Sequence, residues 1–183
     1  MTKLIVCLTG MPGSGKSTIV SALKARGIEA LNLGDGVRAE AKRHNLEPTG
    51  DNLGKLMLEL RKKNGAGAIA ELLTESIKNS QSKVIIVDGV RSTAEIEVLR
   101  NVGLVKLLSI EATSDTRYKF LSSRGRSDDP ITREKFEERD NRELSVGIGE
   151  SIAIADKTIV NSDITLDELT ERAHKVIEKW INT

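Results

Sequence analysis

Aromatic residues and cysteine are scarce in this chain. Its 183 residues include one tryptophan, one tyrosine, two phenylalanines and a single cysteine, Cys7. Because one thiol has no partner within the chain, an internal disulfide is excluded, and Cys7 is expected to be a small buried hydrophobic side chain. So few rings offer no platform on which successive single-stranded bases could stack. The core is therefore expected to be aliphatic.

The chain also lacks long apolar runs and an excess of charge of one sign. It has 28 lysines and arginines against 27 aspartates and glutamates, which gives a net charge of +1. This balance provides no one-sided field to attract nucleic acid or an anionic membrane surface. No run approaches the ~20 apolar residues of a membrane span, and the stretch 4–8 is too short for a signal peptide. We therefore expect a cytoplasmic protein without a membrane partner.

A glycine-rich stretch near the N-terminus is the most informative motif. It lies between a predicted apolar strand at 3–9 and a predicted amphipathic helix at 17–26. Its glycines allow backbone N–H groups to point inward, and the following helix N-terminus adds partial positive charge. Lys16 is expected to bind the β- and γ-phosphates of a nucleoside triphosphate, and the Ser17 hydroxyl to bind Mg²⁺. The stretch Gly10-Met11-Pro12-Gly13-Ser14-Gly15-Lys16-Ser17-Thr18 fits the P-loop pattern G-x-x-x-x-G-K-[ST].

Further strands and helices alternate along the rest of the chain. Strands are predicted at 29–33, 84–87, 104–110 and 157–160, mainly as continuous apolar runs, which are typical of parallel strands covered on both faces. The pattern predicts one α/β domain over residues 1–183, a parallel sheet with helices on both faces and ligands at the carboxyl ends of the strands. Helices are predicted at 37–44 after a break at Gly34–Gly36, from a cap at Asp51 or Asn52 to 64, and at 68–78, 93–100, 114–123, 132–144 and after Thr165.

Charged side chains follow the predicted strand ends. Asp88 follows the apolar run 84–87, in the position of a Walker B acid, which holds Mg²⁺ directly or through water. The alternative is that Asp88 is an ordinary turn residue. Asp35 and Arg38 follow the second strand. An arginine there can bind an anionic substrate and an aspartate can orient it or accept a proton, whereas a helix cap and a solvated arginine are the alternatives. Arg91 is expected to face the same crevice or to form a surface salt bridge.

A second basic set lies between residues 124 and 144. Arg124 and Arg126, at a helix-to-loop junction, are predicted to reach the transferring phosphoryl group when a lid closes and excludes water. Arg139 and Arg142 are second candidates. For most of these charges the alternative is an exposed helix on which acidic and basic residues alternate.

Together these motifs resemble adenylate kinase and its relatives. The resemblance rests on the P-loop, Gly34-Asp35-x-x-Arg38, Asp88-Gly89-x-Arg91 and Arg126-Ser127-Asp128-Asp129. The segment 155–162 is more similar to dephospho-coenzyme A kinase, in which it runs beside the adenine. Nearly the whole chain resembles an archaeal adenylate-kinase-related family of P-loop kinases, whose motifs do not name a substrate.

The resemblance implies a fold, two substrates and a reaction. It implies five parallel strands, ATP at the P-loop with Asn161 beside the adenine, a helical acceptor-binding segment at 35–79 and a lid at 124–144. The acceptor would be a small anion near Asp35, Arg38 and Arg91, such as a nucleoside monophosphate or dephospho-coenzyme A. Asp35 is the expected base for a hydroxyl acceptor, whereas a phosphate acceptor needs none. The alternative is an ATP-hydrolysing switch or assembly factor, and the oligomeric state, monomer or dimer, stays open.

Overall fold

A five-stranded parallel sheet forms the centre of the protein. The computed structural model describes residues 2–125 and 129–183. The strands are β1 (Leu4–Thr9), β2 (Glu29–Asn32), β3 (Val84–Asp88), β4 (Leu104–Glu111) and β5 (Lys157–Val160). They lie in the order β2-β3-β1-β4-β5 and all neighbours are parallel, so β1 occupies the middle of the sheet. The predicted α/β class and the five parallel strands are confirmed.

Helices cover both faces of this sheet. They are α1 (Lys16–Ala25), α2 (Leu33–Arg43), α3 (Gly50–Asn64), α4 (Ala68–Asn79), α5 (Thr93–Arg100), α6 (Ser114–Arg124), α7 (Arg133–Ser145), α8 (Ile148–Ala153) and α9 (Leu166–Ile181). Side chains of β1 alternate between two cores: Ile5 and Cys7 pack with α2, α3, α4 and α5, whereas Val6 and Leu8 pack with α1 and α9. Within the described part of the chain, no helix combines the length and apolarity that crossing a bilayer requires.

Helix α2 begins at Leu33, so the predicted break at Gly34–Gly36 is wrong. Asn32 at the end of β2 adopts an extended conformation, and its side-chain oxygen accepts a hydrogen bond from the Asp35 N–H at 3.2 Å. A cap of this kind satisfies one of the N–H groups that a first helical turn leaves without a partner. The helix therefore tolerates two glycines in its first turn, and β2 leads into α2 without a loop.

Two other predictions about helices need correction. Thr49, rather than Asp51 or Asn52, caps α3, and its hydroxyl accepts from the Asn52 N–H at 3.2 Å. Threonine, aspartate and asparagine are all good caps, so their side chains alone do not select the first turn. The short helix α8, which follows the left-handed Gly147, was not predicted. The other predicted boundaries agree closely with the structure, and the capping box of Thr165 and Glu168 is confirmed.

Candidate active site

The P-loop lies between β1 and α1 at the carboxyl edge of the sheet. Gly10 and Gly15 have φ values of 137° and 108°, which side-chain-bearing residues rarely adopt. A Cβ at Gly10 would lie 2.1 Å from the Ile110 carbonyl oxygen, and one at Gly15 would lie 2.6 Å from Asn161 Nδ2. These glycines are therefore required by both backbone conformation and packing. Helix α1 begins at Lys16, so its free N–H groups face the loop.

Lys16 folds into this loop. Its Nζ donates to the carbonyl oxygens of Gly10 at 2.5 Å and Met11 at 3.1 Å. Burial lowers the pKa of Lys16 to about 8, against the opposing influence of the Asp88 carboxylate. The ammonium group is therefore charged at neutral pH, and an anionic ligand would replace the interactions with water that burial removes.

Two buried side chains support the P-loop by donating hydrogen bonds to its backbone carbonyl oxygens. Asn161, at the end of β5, is 3% exposed and donates from Nδ2 to the Ser14 carbonyl oxygen at 2.9 Å. Arg117 of α6 donates to the Pro12 carbonyl oxygen at 3.1 Å and forms a two-pronged ion pair with Asp140 of α7, at 2.9 and 2.5 Å. The structure thus gives Asn161 a role in supporting the loop, while its predicted position beside the adenine stays a prediction.

Arg117 was missed at the sequence level. It lies in a helix of mixed charge, and nothing in that pattern distinguishes it from an exposed arginine. In the structure it is 6% exposed and its guanidinium carbon lies 4.9 Å from the centre of the Phe136 ring. It therefore links the loop to α7 through a buried charge, which no sequence spacing reveals.

Asp88 lies at the carboxyl end of β3 and is 6% exposed. The strand register pairs it with Asn32 of β2, and Asn32 Nδ2 donates to Asp88 Oδ2 at 2.8 Å. The other oxygen, Oδ1, is buried and has no hydrogen-bond partner in the described structure. A buried carboxylate oxygen without a donor is costly, and oxygen is the ligand that Mg²⁺ prefers. Asp88 and the Ser17 hydroxyl, which line the same cavity, therefore fit a magnesium ion.

A cavity of about 110 Å³ opens beside the P-loop. Arg38, Arg91, Arg124 and Arg139 line it together with Lys16, Ser17 and Asp88. These arginines come from different parts of the chain, namely α2, the loop between β3 and α5, the end of α6, and α7. The fold therefore brings together the predicted residues of the P-loop, of the second strand end and of the lid-like segment. The cavity combines a phosphate-binding loop with a wall of guanidinium groups.

Asp35, unlike the other candidates for binding the acceptor, is not among the residues that line the cavity. Its side chain is 74% exposed on the first turn of α2, and Oδ1 accepts from Arg38 Nη1 at 2.9 Å. Arg38 itself lines the cavity. Arg124 forms an ion pair with the largely buried Asp129. Arg126, also predicted to act in catalysis, lies outside the described residues.

A second, smaller cavity of about 70 Å³ adjoins the first between α2, α3 and α7. It shares Arg38, Arg91, Arg139 and Glu143 with the first cavity, and Arg142 contributes another guanidinium group. Its apolar wall is formed by Val37, Leu53 and Met57. The arrangement suits a small anion with an apolar portion.

Buried carboxylates hold Arg91 in this wall. Glu143 Oε2 accepts from Arg91 Nε at 2.6 Å, and Glu95, which is fully buried, accepts from the Arg91 backbone N–H at 2.7 Å and from Arg61 at 2.9 Å. Glu143 raises the pKa of Arg91. Burial by itself would raise the pKa of Glu143, but Arg91 and Arg139 outweigh it and hold that pKa below its usual value. Neither glutamate was predicted, because each looks like a surface residue of a charged helix.

Comparisons with known proteins agree with this fold and loop. Residues 9–137 match the protein-family model described as an AAA domain. The chain is 38% identical over 177 residues to a UPF0200 protein of Hyperthermus butylicus, covering 97% of this chain and 95% of that one. It is 44% identical over 179 residues to a UPF0200 protein of Methanothrix thermoacetophila, covering 96% and 97% of the two chains.

Solved structures share the architecture at low sequence identity. The protein TT1252 from Thermus thermophilus has a TM-score of 0.68 at 18% identity, with 98% of each chain covered. Shikimate kinase from Bacteroides thetaiotaomicron has a TM-score of 0.59 at 15% identity, with 96% of this chain and 98% of that chain covered. These likenesses establish a P-loop kinase-like fold, and the sequence matches establish the family. The chain therefore belongs to the UPF0200 family, with an AAA domain over residues 9–137.

Proposed function

We propose that this protein is a phosphotransferase that transfers the γ-phosphoryl group of ATP to a small anionic acceptor. The observation that carries this proposal is the shared cavity, in which the P-loop and Asp88 face arginines from separate helices and loops. A nucleotide switch needs a phosphate-binding loop, whereas a second cationic wall is needed to bind a second anion. The kinase-like fold is in keeping with this reaction, and some of its solved neighbours are named as kinases.

Each group has a role that its position supports. The P-loop amides and Lys16 stabilise the charge on the β- and γ-phosphates. Arg124 supplies positive charge as the lid-like segment 124–144 closes. Arg126, which lies outside the described residues, is assigned the same role from the sequence alone. Asn161, which follows β5, is assigned the position beside the adenine from the sequence resemblance. Mg²⁺, held by Ser17 and Asp88, would neutralise phosphate charge.

The acceptor would lie between the segments 35–79 and 124–144. Arg38 and Arg91 line both cavities, which supports assigning them to its anionic group. A nucleoside monophosphate would offer an ionised phosphate oxygen as nucleophile, whereas dephospho-coenzyme A would offer a hydroxyl. The second case needs a proton acceptor, for which Asp35 is the candidate from the sequence. Both candidate acceptors are suggested by the sequence resemblance to adenylate kinase and dephospho-coenzyme A kinase.

An acceptor screen with γ-labelled ATP tests the proposal. We expect label transfer to at least one acceptor in a panel of nucleoside monophosphates and dephospho-coenzyme A. Lys16→Ala should abolish the transfer, because it removes the only side-chain charge supplied by the P-loop motif itself. Lys24→Ala, which changes an exposed lysine of the same helix, is the matched control and should retain full activity.

Two outcomes would contradict the proposal. Release of labelled phosphate to water without any labelled acceptor would instead favour the ATP-hydrolysing switch or assembly factor, particularly if protein or RNA stimulated it. Transfer that persists in Lys16→Ala would show that the activity does not arise at this loop.

A further inference from the structure

The carboxylate of Glu143 lines both cavities together with their arginines. Glu143 is on α7, its side chain is 9% exposed, and it lines the cavity beside the P-loop together with Lys16 and the arginines. It also forms part of the wall of the second cavity, next to Arg38 and Arg142. A buried carboxylate opposes the binding of anions, so its presence in this basic site has to be explained.

The ion pair with Arg91 explains only part of the position of Glu143. Arg91 already donates from Nη1 to the Gly89 carbonyl oxygen at 2.9 Å and from its backbone N–H to Glu95 at 2.7 Å. Glu143 adds one bond from Nε through its Oε2 atom. The ion pair with Arg91 and the nearby charge of Arg139 lower the pKa of Glu143 and keep it ionised at neutral pH, so that its carboxylate can accept a proton.

The charge of Glu143 discriminates between the two kinds of acceptor. A phosphate acceptor would bring a dianion against this largely buried carboxylate, and like charges repel more strongly there than in bulk water. A hydroxyl acceptor would instead donate a hydrogen bond to it, and its proton would need a destination when the oxygen attacks phosphorus. The exposed Asp35 is poorly placed to serve as that destination, since its carboxylate is 74% exposed and engaged with Arg38.

We propose that Glu143 is the catalytic base of the transfer and that it selects an acceptor that presents a hydroxyl group. This inference rests on the proposed function. The acceptor oxygen forms a bond to the γ-phosphorus while the bond from that phosphorus to the β,γ-bridging oxygen breaks. The bridging oxygen keeps the electron pair and leaves with ADP, and the hydroxyl proton passes to Glu143. The products are ADP and a phosphate ester.

The second cavity defines the class of acceptor more closely. Arg38 and Arg142 are placed to bind a carboxylate or phosphate, and Val37, Leu53 and Met57 provide an apolar surface. The expected acceptor is therefore a small hydroxyl-bearing anion with an apolar portion.

Product analysis tests the kind of acceptor without using a variant. The wild-type protein would be incubated with γ-labelled ATP, Mg²⁺ and one acceptor in each reaction. The hydroxylated carboxylates are glycerate and pantothenate, and the hydroxylated phosphates are glycerol 3-phosphate and dephospho-coenzyme A. The nucleoside monophosphates are AMP, CMP and UMP. Phosphorus NMR distinguishes a phosphate ester from a phosphoanhydride. We expect ester products. A phosphoanhydride would overturn the inference and leave the proposed function intact, whereas phosphate release alone or no transfer would contradict the proposed function itself.

Variants of Glu143 test its role as the base. Glu143→Gln keeps the shape but cannot accept the proton, so kcat for ester formation should fall by about 10²–10⁴-fold while KM for ATP changes little. Glu138→Gln, at an exposed position of the same helix, is the matched control and should be unaffected. Glu143→Ala should regain activity when formate is added, because the small carboxylate can fill the vacated position.

A purely positioning role would give different results. If Glu143 only held Arg91, Glu143→Gln would raise KM for the acceptor with kcat unchanged, and formate would not restore Glu143→Ala; either result would overturn the inference. Glu143→Asp retains the negative charge beside Arg91. It therefore tests the role of Glu143 even if the other variants do not fold. We expect it to melt near the wild-type temperature with a reduced kcat, and an unchanged kcat would also overturn the inference.

Discussion

At the scale of single residues, Asn32 serves a helix and the candidate magnesium site at the same time. Its side-chain oxygen caps α2 through the Asp35 N–H, and its side-chain nitrogen donates to Asp88 Oδ2. Because β2 and β3 place these two residues in register, the amide orients the carboxylate that ends β3. One side chain thereby connects the beginning of a helix with the position of a metal ligand.

Replacing Asn32 should separate these two effects. Asn32→Ala is expected to lower the free energy of unfolding by about 0.5–2 kcal/mol through loss of the cap, and also to increase the Mg²⁺ concentration needed for half-maximal activity. Thr165→Ala removes the cap of α9, a helix that lines neither cavity, and should show only the loss of stability. Urea denaturation and magnesium titration measure the two effects. An unchanged magnesium requirement in Asn32→Ala would show that the amide does not orient Asp88.

At the scale of elements, α6 and α7 are tied to each other and to the P-loop by Arg117. The side chains of Arg117 and Asp140 are 7% and 16% exposed, and the same guanidinium group reaches the Pro12 carbonyl oxygen. A Cβ at Gly13 would lie 2.6 Å from the Arg117 carbonyl oxygen, so α6 also packs directly on the loop. Movement of α7 is therefore coupled to the position of the phosphate-binding loop.

Removing Arg117 should affect both stability and nucleotide binding. Arg117→Met is expected to cost up to about 3–5 kcal/mol of stability, because the largely buried Asp140 would be left without its partner. The double variant Arg117→Met/Asp140→Leu should recover much of that loss but not the ATP affinity, since Pro12 would still lack its donor. Lys119→Met, at an exposed position of α6, is the control.

Urea denaturation and ATP titration provide the measurements for these variants. Wild-type ATP affinity in the double variant would show that the bond to Pro12 has no part in holding the loop.

At the scale of the whole molecule, the site joins segments that the chain separates widely. The P-loop follows β1, whereas the arginines come from α2, from the loop after β3, and from α6 and α7. A polyanionic ligand bound between them would therefore be in contact with parts of both helical layers. Such a ligand stabilises the folded state as a whole, because the unfolded chain cannot bind it.

Thermal unfolding should report this linkage. At a ligand concentration 100 times Kd the gain is about 2.7 kcal/mol, which for a chain of this size raises Tm by roughly 5–10 °C. We expect this shift with ATP and Mg²⁺ in the wild type and in Lys24→Ala, and its loss in Lys16→Ala. Scanning calorimetry with and without nucleotide measures it. An equal shift in Lys16→Ala would place the nucleotide elsewhere.

Local patterns in the sequence were sufficient for most of the fold. The strand runs, the P-loop glycines and the capping box of α9 are decided by residues close together in the chain, so their structure could be predicted. The beginning of α2 could not be predicted in this way, because the cap at Asn32 competes with two glycines that usually favour a break in the helix. The cap of α3 was missed for a similar reason, since several neighbouring side chains are equally suitable.

The sequence by itself determined that this chain forms a P-loop on a parallel sheet, because the loop, its strand and its helix are consecutive. The tertiary structure alone decided which charges are buried together. Arg117, Glu95 and Glu143 resemble surface residues in the sequence, and they become internal only when α5, α6 and α7 pack around the loop and cavity. Burial and pairing depend on contacts between residues far apart in the chain, and these contacts give Glu143 a place beside Lys16 and the arginines.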